Sequence, residues 1–309
     1  MAIAKKEKNP NVKPIKKNYK LLLYLIPGIV FVIMFSYVPL AGWIIGFMNY
    51  KPGIPLNKTP FVGLDNFEIL LEDSRNLIRV MKNTAIFALL GYLTAPLSMV
   101  LAIALNEVRS SGLKRLIQTL TTFPHFVSWV IVYALAFQFF SFDGKVSAVL
   151  LDLGWITEPF SLIADQDAVY WFQTALGLWK GLGWSSIVYL AAIAGIDREQ
   201  FEAAEIDGAS RMQRIRYITI PSLMPTFIVL MLLQVSSFVN SGLDQYLNFY
   251  NTVVKNNIET IDLYVYRATL LKSDYSYGTV IGMSKSLISI MLLFIVNTLS
   301  KKVRDESIF

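Results

Sequence analysis

Six long apolar stretches separated by polar loops run along this chain, at residues 21–48, 83–106, 117–140, 168–194, 221–241 and 279–299. A helix needs about 20 apolar residues to cross roughly 30 Å of hydrocarbon, and each stretch has that length. The pattern predicts an all-α integral membrane protein with six transmembrane helices and both termini on one side. Pro27, Gly28 and Pro39 predict a kinked or tilted first span. Between spans, residues 67–80 (after Asp65 and Asn66) and 261–271 read as short helices lying along the membrane surface or facing an external partner.

Composition supports the membrane reading. Of 309 residues, 54% are hydrophobic and only 16% charged, against about a quarter charged in soluble domains. Mean hydropathy is +0.50. The net charge of +6 would suit a nucleic-acid partner, but its distribution points elsewhere. Seventeen Lys and Arg fall in the tail 1–20, loop 107–116, loop 195–220 and the C-terminal tail; nine fall in the much longer loops 49–82, 141–167 and 242–278. The positive-inside rule then puts both termini and the 195–220 loop in the cytoplasm, and no nucleic-acid partner is expected. The tail carries seven lysines and reads as a solvated arm touching anionic lipid. The apolar run after it is too long for the core of a cleaved signal peptide. There is no cysteine and one histidine, His125. Disulfides, thiol chemistry and histidine-cluster metal sites are excluded, and His125 reads as a packing residue.

The most informative polar segment is Phe201 to Leu223, FEAAEIDGASRMQRIRYITIPSL. Asp197 and Gln200 make a capping-box-like start for a first short helix through Glu202, Ala203 and Ala204 to Asp207. Gly208 suits the left-handed residue that ends it. Ser210 and Gln213 repeat the capping pattern for a second helix from Arg211 to about Tyr217, and Pro221 opens the fifth span. Phe201, Ala204, Glu205 and Gly208 share one face of the first helix. The small residues there leave a shallow profile suited to a groove on a soluble partner.

Glu202-Ala203-Ala204, three residues, Gly208, nine residues, then Ile218, Ile220 and Pro221 resembles the EAA signature of permease subunits in bacterial ABC importers. Ile220 stands where the family has Leu, an apolar swap of similar shape. Phe123–Trp129, Trp179–Trp184 and Tyr189–Asp197 are similar to the carbohydrate-uptake permeases, in particular the oligosaccharide group resembling the larger maltose-type subunit. The resemblance implies the type I (MetI-like) importer fold: a basic tail 1–20 and a permease domain 21–309 with a coupling loop at 195–220. It also implies a multi-pass protein of the bacterial cell membrane. Its partners would be a second, homologous permease, two ATP-binding subunits, an extracellular lipid-anchored solute-binding protein and an oligosaccharide substrate. Glu202, Ala203, Ala204, Asp207, Gly208 and Pro221 carry over as the element that couples to the ATPase.

The chain has no phosphate-binding loop. The segment 53–59 lacks the second glycine of G-x-x-x-x-G-K-[ST], so ATP and Mg would be held by partner subunits, with no cofactor bound here. No nucleophile–base pair or carboxylate dyad points to catalysis. Lys180 lies mid-span among Gly177, Gly181 and Gly183, where a charge costs from about 2.5 kcal/mol upward. It reads either as a cavity or packing-network residue or as a snorkelling one, whereas Lys285, near a span end, reads as snorkelling. Lys180, Trp184, Gln138, Asn240 and Asp244 are candidates for a substrate path. Asn83, Gln173 and Gln234 also lie in spans, where interhelical hydrogen bonding is the commoner role. The rival class, an ion-driven secondary carrier, fits less well, because the spans hold no mid-membrane Asp or Glu and show no clear internal repeat. A scaffold that only recruits partners stays open on sequence alone.

Overall fold

The computed structural model describes residues 19–304 except 239 and 241. The lysines of the 1–18 tail lie outside the described residues. Among the described residues the chain is helical, with a single β-bridge between Met48 and Phe61. Among the described residues six stretches are long and apolar enough to cross a membrane, the third of them Trp129–Asp152 rather than the expected 117–140.

The first span begins as α1 (Tyr19–Val32), widens into a π turn at Ile33–Tyr37 and tightens into a 3-10 helix at Val38–Phe47. The irregularity sits where Pro39 removes a backbone donor. This span packs mainly on the sixth, and Gly46 permits the approach: a Cβ there would lie 3.3 Å from the side chains of Met283 and Val280.

After α2 (Asp65–Glu72), the second span runs as α3 (Ser74–Thr94) and α4 (Pro96–Asn106). The short helix expected over 67–80 is therefore divided: Asp73 separates α2 from α3, and the second span begins about nine residues before the expected 83. Apolar α3 residues on its buried face, Val80 and Phe87, continue the same helix past the polar residues that had suggested a loop.

The third span departs most from expectation. Instead of one helix over 117–140, α5 (Ser111–Thr122) ends, Phe123–Phe126 forms a 3-10 turn, Val127 and Ser128 are extended, and α6 (Trp129–Phe140) begins, followed by α7 (Lys145–Asp152). Pro124 lacks the donor to continue α5, and the Ser128 hydroxyl caps α6 by accepting from Ile131 N.

A break of this kind leaves carbonyls without donors, and Lys180 supplies them. It projects from α8 (Val169–Ala194), and its ammonium donates to the main-chain carbonyls of Pro124 (3.3 Å), His125 (2.6 Å) and Val127 (2.6 Å). Three N–H donors meet three acceptors. The Trp129 ring lies 5.5 Å from the same nitrogen. Close by, a Cβ on Gly183 would sit 2.2 Å from the Thr121 carbonyl oxygen, so only glycine lets α8 reach the end of α5. Lys180 is thus a packing-network residue, one of its two expected roles. Lys285 does not snorkel as expected; it forms an ion pair with Asp262, because the 261–266 helix lies against the sixth span.

The polar loop after α8 holds α9 (Arg198–Ile206) and α10 (Arg211–Arg214). A π turn at Ile215–Thr219 leads from α10 into α11 (Ile220–Ser236). The smaller elements α12 (Leu243–Phe249), α13 (Lys255–Ile258) and α14 (Ile261–Tyr266) precede the long α15 (Tyr275–Arg304). The helix expected over 261–271 is present, but Ile261, Tyr264 and Ala268 are buried against α3 and α15, and Leu263 in the cluster with Phe87 and Phe249, rather than laid on the membrane surface.

Three apolar clusters hold the bundle. One joins Phe87, Ala136, Phe172 and Phe249; a second joins Val80, Tyr264 and Ile281; a third, at the end bearing the 197–220 loop, joins Ala102, Tyr189, Ile193 and Leu223. At the opposite end, buried Glu259 accepts from Arg79 at 2.8 Å and pairs with Arg267. Asn83 donates to the carbonyls of Asn256 and Glu259 and accepts from Tyr170 at 2.7 Å. Asn83 and Tyr170 are therefore tied into interhelical bonding.

Replacing Lys180 by Met removes the donor to the His125 and Val127 carbonyls, while Pro124 O keeps the Val127 N–H. The expected loss is about 2–3 kcal/mol, the scale for hydrogen bonds to a charged group. It would be read as a lowered thermal unfolding midpoint of the purified protein in detergent, with Lys180→Arg losing less. An unchanged midpoint in Lys180→Met would show that the break is held by other contacts.

Candidate functional site

The 197–220 loop is built as its spacing predicts, with two differences. Asp197 caps α9, its Oδ1 accepting from Glu199 N at 3.0 Å, with Gln200 taking no part in that cap. Gly208 adopts φ +77°. Ala209 N donates to Ala204 O at 2.8 Å, and Asp207 N donates to Ala203 O. This closure satisfies the last carbonyls of α9 and depends on a residue free to adopt positive φ. The second cap is reciprocal: Ser210 Oγ accepts from Gln213 N, and Ser210 N donates to Gln213 Oε1 at 2.7 Å. Arg214 pairs with Glu205 at 3.2 Å, joining α10 to α9.

The second difference is at Pro221. It does not open a new helix, because α10, the π turn and α11 run on without a break from Arg211 to Ser236. Pro221 lacks the N–H that would bond the Tyr217 carbonyl, and the widened π turn just before it absorbs the misfit. The 211–236 segment is therefore one continuous helix, with Pro225 inside it, that begins in the loop and forms the fifth span.

The loop's outward face also differs from the expected one. Phe201 and Ala204 are half-buried against the bundle, while Glu202, Ala203, Asp207 and Gly208 are exposed. Among the apolar groups it displays are Ile206, 86% exposed, and Met212, 69% exposed, with Tyr217 further along. Sequence reasoning passed over the first two. Two large apolar residues in a polar, Gly-ended helix pair were the available signal, since an exposed apolar group at such a tip is an unpartnered contact.

Within the bundle, a cavity of about 470 Å³ lies between the second, fourth and fifth spans and α12. Gly91, Thr94, Ala95 and Ser98 line one side; Gln173, Thr174, Gly177, Gly181, Trp184, Ser185 and Tyr189 line another; Leu230, Gln234, Gln245 and Tyr246 complete it. Residues 173 to 189 of α8 extend about 24 Å at 1.5 Å per residue, most of a bilayer's hydrocarbon depth. Gln245 Nε2 donates to the Gln173 carbonyl at 2.8 Å and to its Oε1 at 2.9 Å. Glycine backs both amide groups: a Cβ on Gly177 would sit 3.5 Å from Gln245 Oε1, and one on Gly91 would sit 3.3 Å from Gln234 Nε2. The described lining carries amides, hydroxyls and aromatic rings but no charged side chain.

Of the five path candidates, Trp184 lines this cavity. Its ring stacks on His125 with centroids 4.5 Å apart and 2° between planes, so His125 is a packing residue as expected. Lys180 is turned into the break of the third span. Gln138 lines a separate cavity at the far end with Tyr133, Phe137 and Asp143. Asp244 is exposed and outside the lining, although its neighbours Gln245 and Tyr246 are within it, and Asn240 lies in the exposed segment before α12. Helical phase decides between Asp244 and Gln245, and the start of α12 at Leu243 is set by left-handed Gly242, which periodicity alone does not reveal.

At the far end, a polar pocket gathers Asp73, Arg79, Tyr250, Glu259, Tyr264 and Arg267. Burial pushes the Asp73 carboxyl up, but hydrogen bonds from Tyr264, Asn76 and Tyr277, with the charge of Lys272, outweigh it and hold the group below its usual range. Burial and the bond to Asp73 push the Tyr264 phenol up to about 12.

Comparison with known proteins agrees with this architecture. The model of the binding-protein-dependent transport system inner membrane component family matches residues 94–305. The Bacillus subtilis protein LplB is 38% identical over 96% of this chain and 92% of its own length. The polygalacturonan/rhamnogalacturonan transport system permease YteP, also from Bacillus subtilis, is 34% identical over 99% of this chain and 96% of its own. A subunit in the crystal structure of a bacterial ABC transporter that imports the acidic polysaccharide alginate superposes with a TM-score of 0.83. It is 30% identical and covers 94% of this chain and 98% of that one. The same transporter has been solved with an alginate pentasaccharide-bound periplasmic protein. With the family model covering most of the chain and relatives aligned along nearly all of it, this protein belongs to the binding-protein-dependent transport system inner membrane components and is a multi-pass permease of an ABC importer.

Proposed function

We propose that this chain is the coupling and path-forming permease of an oligosaccharide importer that works by alternating access. The observation that carries the reading is the unbroken 211–236 helix. Met212 stands exposed at its loop end, and Leu230 and Gln234 line the cavity further along. Met212 and Gln234 stand 22 positions apart, about 33 Å along the helix at roughly 1.5 Å per residue. Displacing the loop therefore displaces a cavity wall. Nothing between the two has to fold or unfold.

The loop faces the cytoplasm in this reading, in keeping with the bias of Lys and Arg toward that end. Ile206, Met212 and the exposed edge of Glu202, Ala203, Asp207 and Gly208 dock on an ATP-binding subunit that holds ATP and Mg. A second, homologous permease closes the open side of the cavity. An external lipid-anchored binding protein delivers the sugar. Amides, hydroxyls and the Trp184 ring suit sugar hydroxyls and their apolar faces. Carbohydrate substrates are supported by two relatives: YteP, a polygalacturonan/rhamnogalacturonan transport system permease, and the transporter involved in the import of the acidic polysaccharide alginate. For the loop to drive transport, it must bind the ATPase differently in its two states, since equal binding shifts no equilibrium.

Because the chain has no cysteine, Ile206→Cys introduces its only thiol. In native membranes it should crosslink to an ATPase bearing a phosphate-binding loop, with a yield that changes on adding nucleotide. Absence of that crosslink, with the ATPase present in the same membranes, would overturn the docking. Gly208→Pro and Ile206→Glu are expected to insert in the membrane at normal levels yet abolish uptake. Normal uptake by both would remove the loop from the mechanism.

A cavity test is independent of the loop. Gln245→Leu breaks the amide pair with Gln173 and removes a polar group from the path. Uptake of rhamnogalacturonan, polygalacturonan and alginate fragments would be compared in cells carrying the full transporter. The variant is expected to lower the maximal rate for the transported sugar several-fold, leaving binding by the external protein unchanged. An unaltered rate would place the path elsewhere.

A further inference from the structure

We infer that Arg211 and Glu107 form a strut through which the loop moves the second span as well as the fifth. The inference rests on the importer reading above. Glu107 is the residue that closes α4, and Arg211 is the first residue of α10. The guanidinium makes two contacts to that one residue: Nε donates to Glu107 Oε2, and an Nη donates to the Glu107 main-chain carbonyl. A carbonyl at a helix C-terminus lacks an intrahelical donor and lies at the negative end of the helix dipole. A planar fork held on both main chain and side chain fixes direction as well as distance, which a single point charge would not.

What surrounds the pair makes it mechanical. The loop is not packed flat on the bundle here. A cavity of about 540 Å³ separates α9 and α10 from the ends of α4 and α8, lined by Asn106, Ile193, Arg198, Phe201 and Thr219 as well as by the pair itself. Across that gap, force passes through the strut rather than through close-packed side chains. The loop is itself one body, because the Ser210–Gln213 cap and the Arg214–Glu205 pair tie α10 internally and to α9.

On the other side, α4 packs along α8 in the most extensive helix contact among the described residues. The span containing α4 presents Gly91, Thr94, Ala95 and Ser98 to the large cavity. Pro96 removes one helical hydrogen bond between α3 and α4 and so provides a bending point beside those residues. Loop displacement thus reaches two walls of the cavity: the fifth span by covalent continuity and the second by the strut. The side chains of Arg211 and Glu107 are 54% and 27% exposed, and pairs this open add little to stability. Their role is therefore separable from folding.

The test uses the complete transporter, with this chain's partner subunits, in native membranes. Thr94→Cys, on the second span and in the cavity wall, is labelled by a water-soluble maleimide with and without Mg-ATP and vanadate. The unaltered strut should give a labelling rate that changes several-fold with nucleotide. Glu107→Arg and Arg211→Glu, each placing like charges together, should each remove that response at unchanged protein levels. The double exchange Glu107→Arg/Arg211→Glu re-forms the ion pair but not the donor to the residue-107 carbonyl, so it should return part of the response. A full response in either single variant, or a double exchange no better than the single ones, overturns the strut. No nucleotide response even with the native pair removes the alternating-access reading, and the strut falls with it.

Discussion

A backbone that leaves helical geometry inside a membrane has no water to bond, so each freed N–H and carbonyl must find a partner in the protein. In this chain that constraint acts hardest at residues 123–128, where the third span breaks. Lys180 resolves it by placing three donors on three carbonyls. The ammonium in turn gains the partners that make its burial tolerable. Gly183 against Thr121 and Trp184 against His125 follow from the same approach of α8. Since Trp184 also lines the large cavity, the position of the break decides the shape of that wall.

The two ends of the bundle are built differently. At the far end, Glu259, Arg79, Arg267 and Asn83 form a network in which a buried carboxylate is paired twice, so the pieces from 65 to 83 and from 256 to 277 are held together. At the loop end the polar contacts are open to solvent, and a cavity lies beneath the loop. Rigidity at one end and a loosely seated loop at the other suit a device in which the loop is displaced by a partner and the far end serves as the frame.

Much of this was legible in the residues. Six apolar spans, the Gly208 turn and the Ser210–Gln213 cap are all present, though the second and third spans have other bounds, because each depends on local chemistry: side-chain transfer to hydrocarbon, freedom at positive φ, and a hydroxyl one turn from a backbone N–H. The family resemblance came from the same local spacing in the loop. Two misjudged features depended on neighbours distant in sequence. Pro124 could have been a kink; the chain instead leaves helical geometry at 127–128, and Lys180, more than fifty residues later, binds the carbonyls exposed there. Lys285 was expected to reach for water and instead found Asp262.

The path residues show the same division. Polarity within a span was visible, but which polar groups meet was not. Gln173 and Gln245 pair across the cavity, while Asp244, one residue away, turns outward. Taken alone, the sequence determined that the chain spans a membrane six times and carries a capped helix pair in the loop before the fifth span, since hydrophobic length and capping are short-range properties. Only the tertiary structure decided where the third span breaks, what neutralises Lys180, and that the loop's second helix continues unbroken to the cavity, because each is settled by packing between segments far apart in the chain.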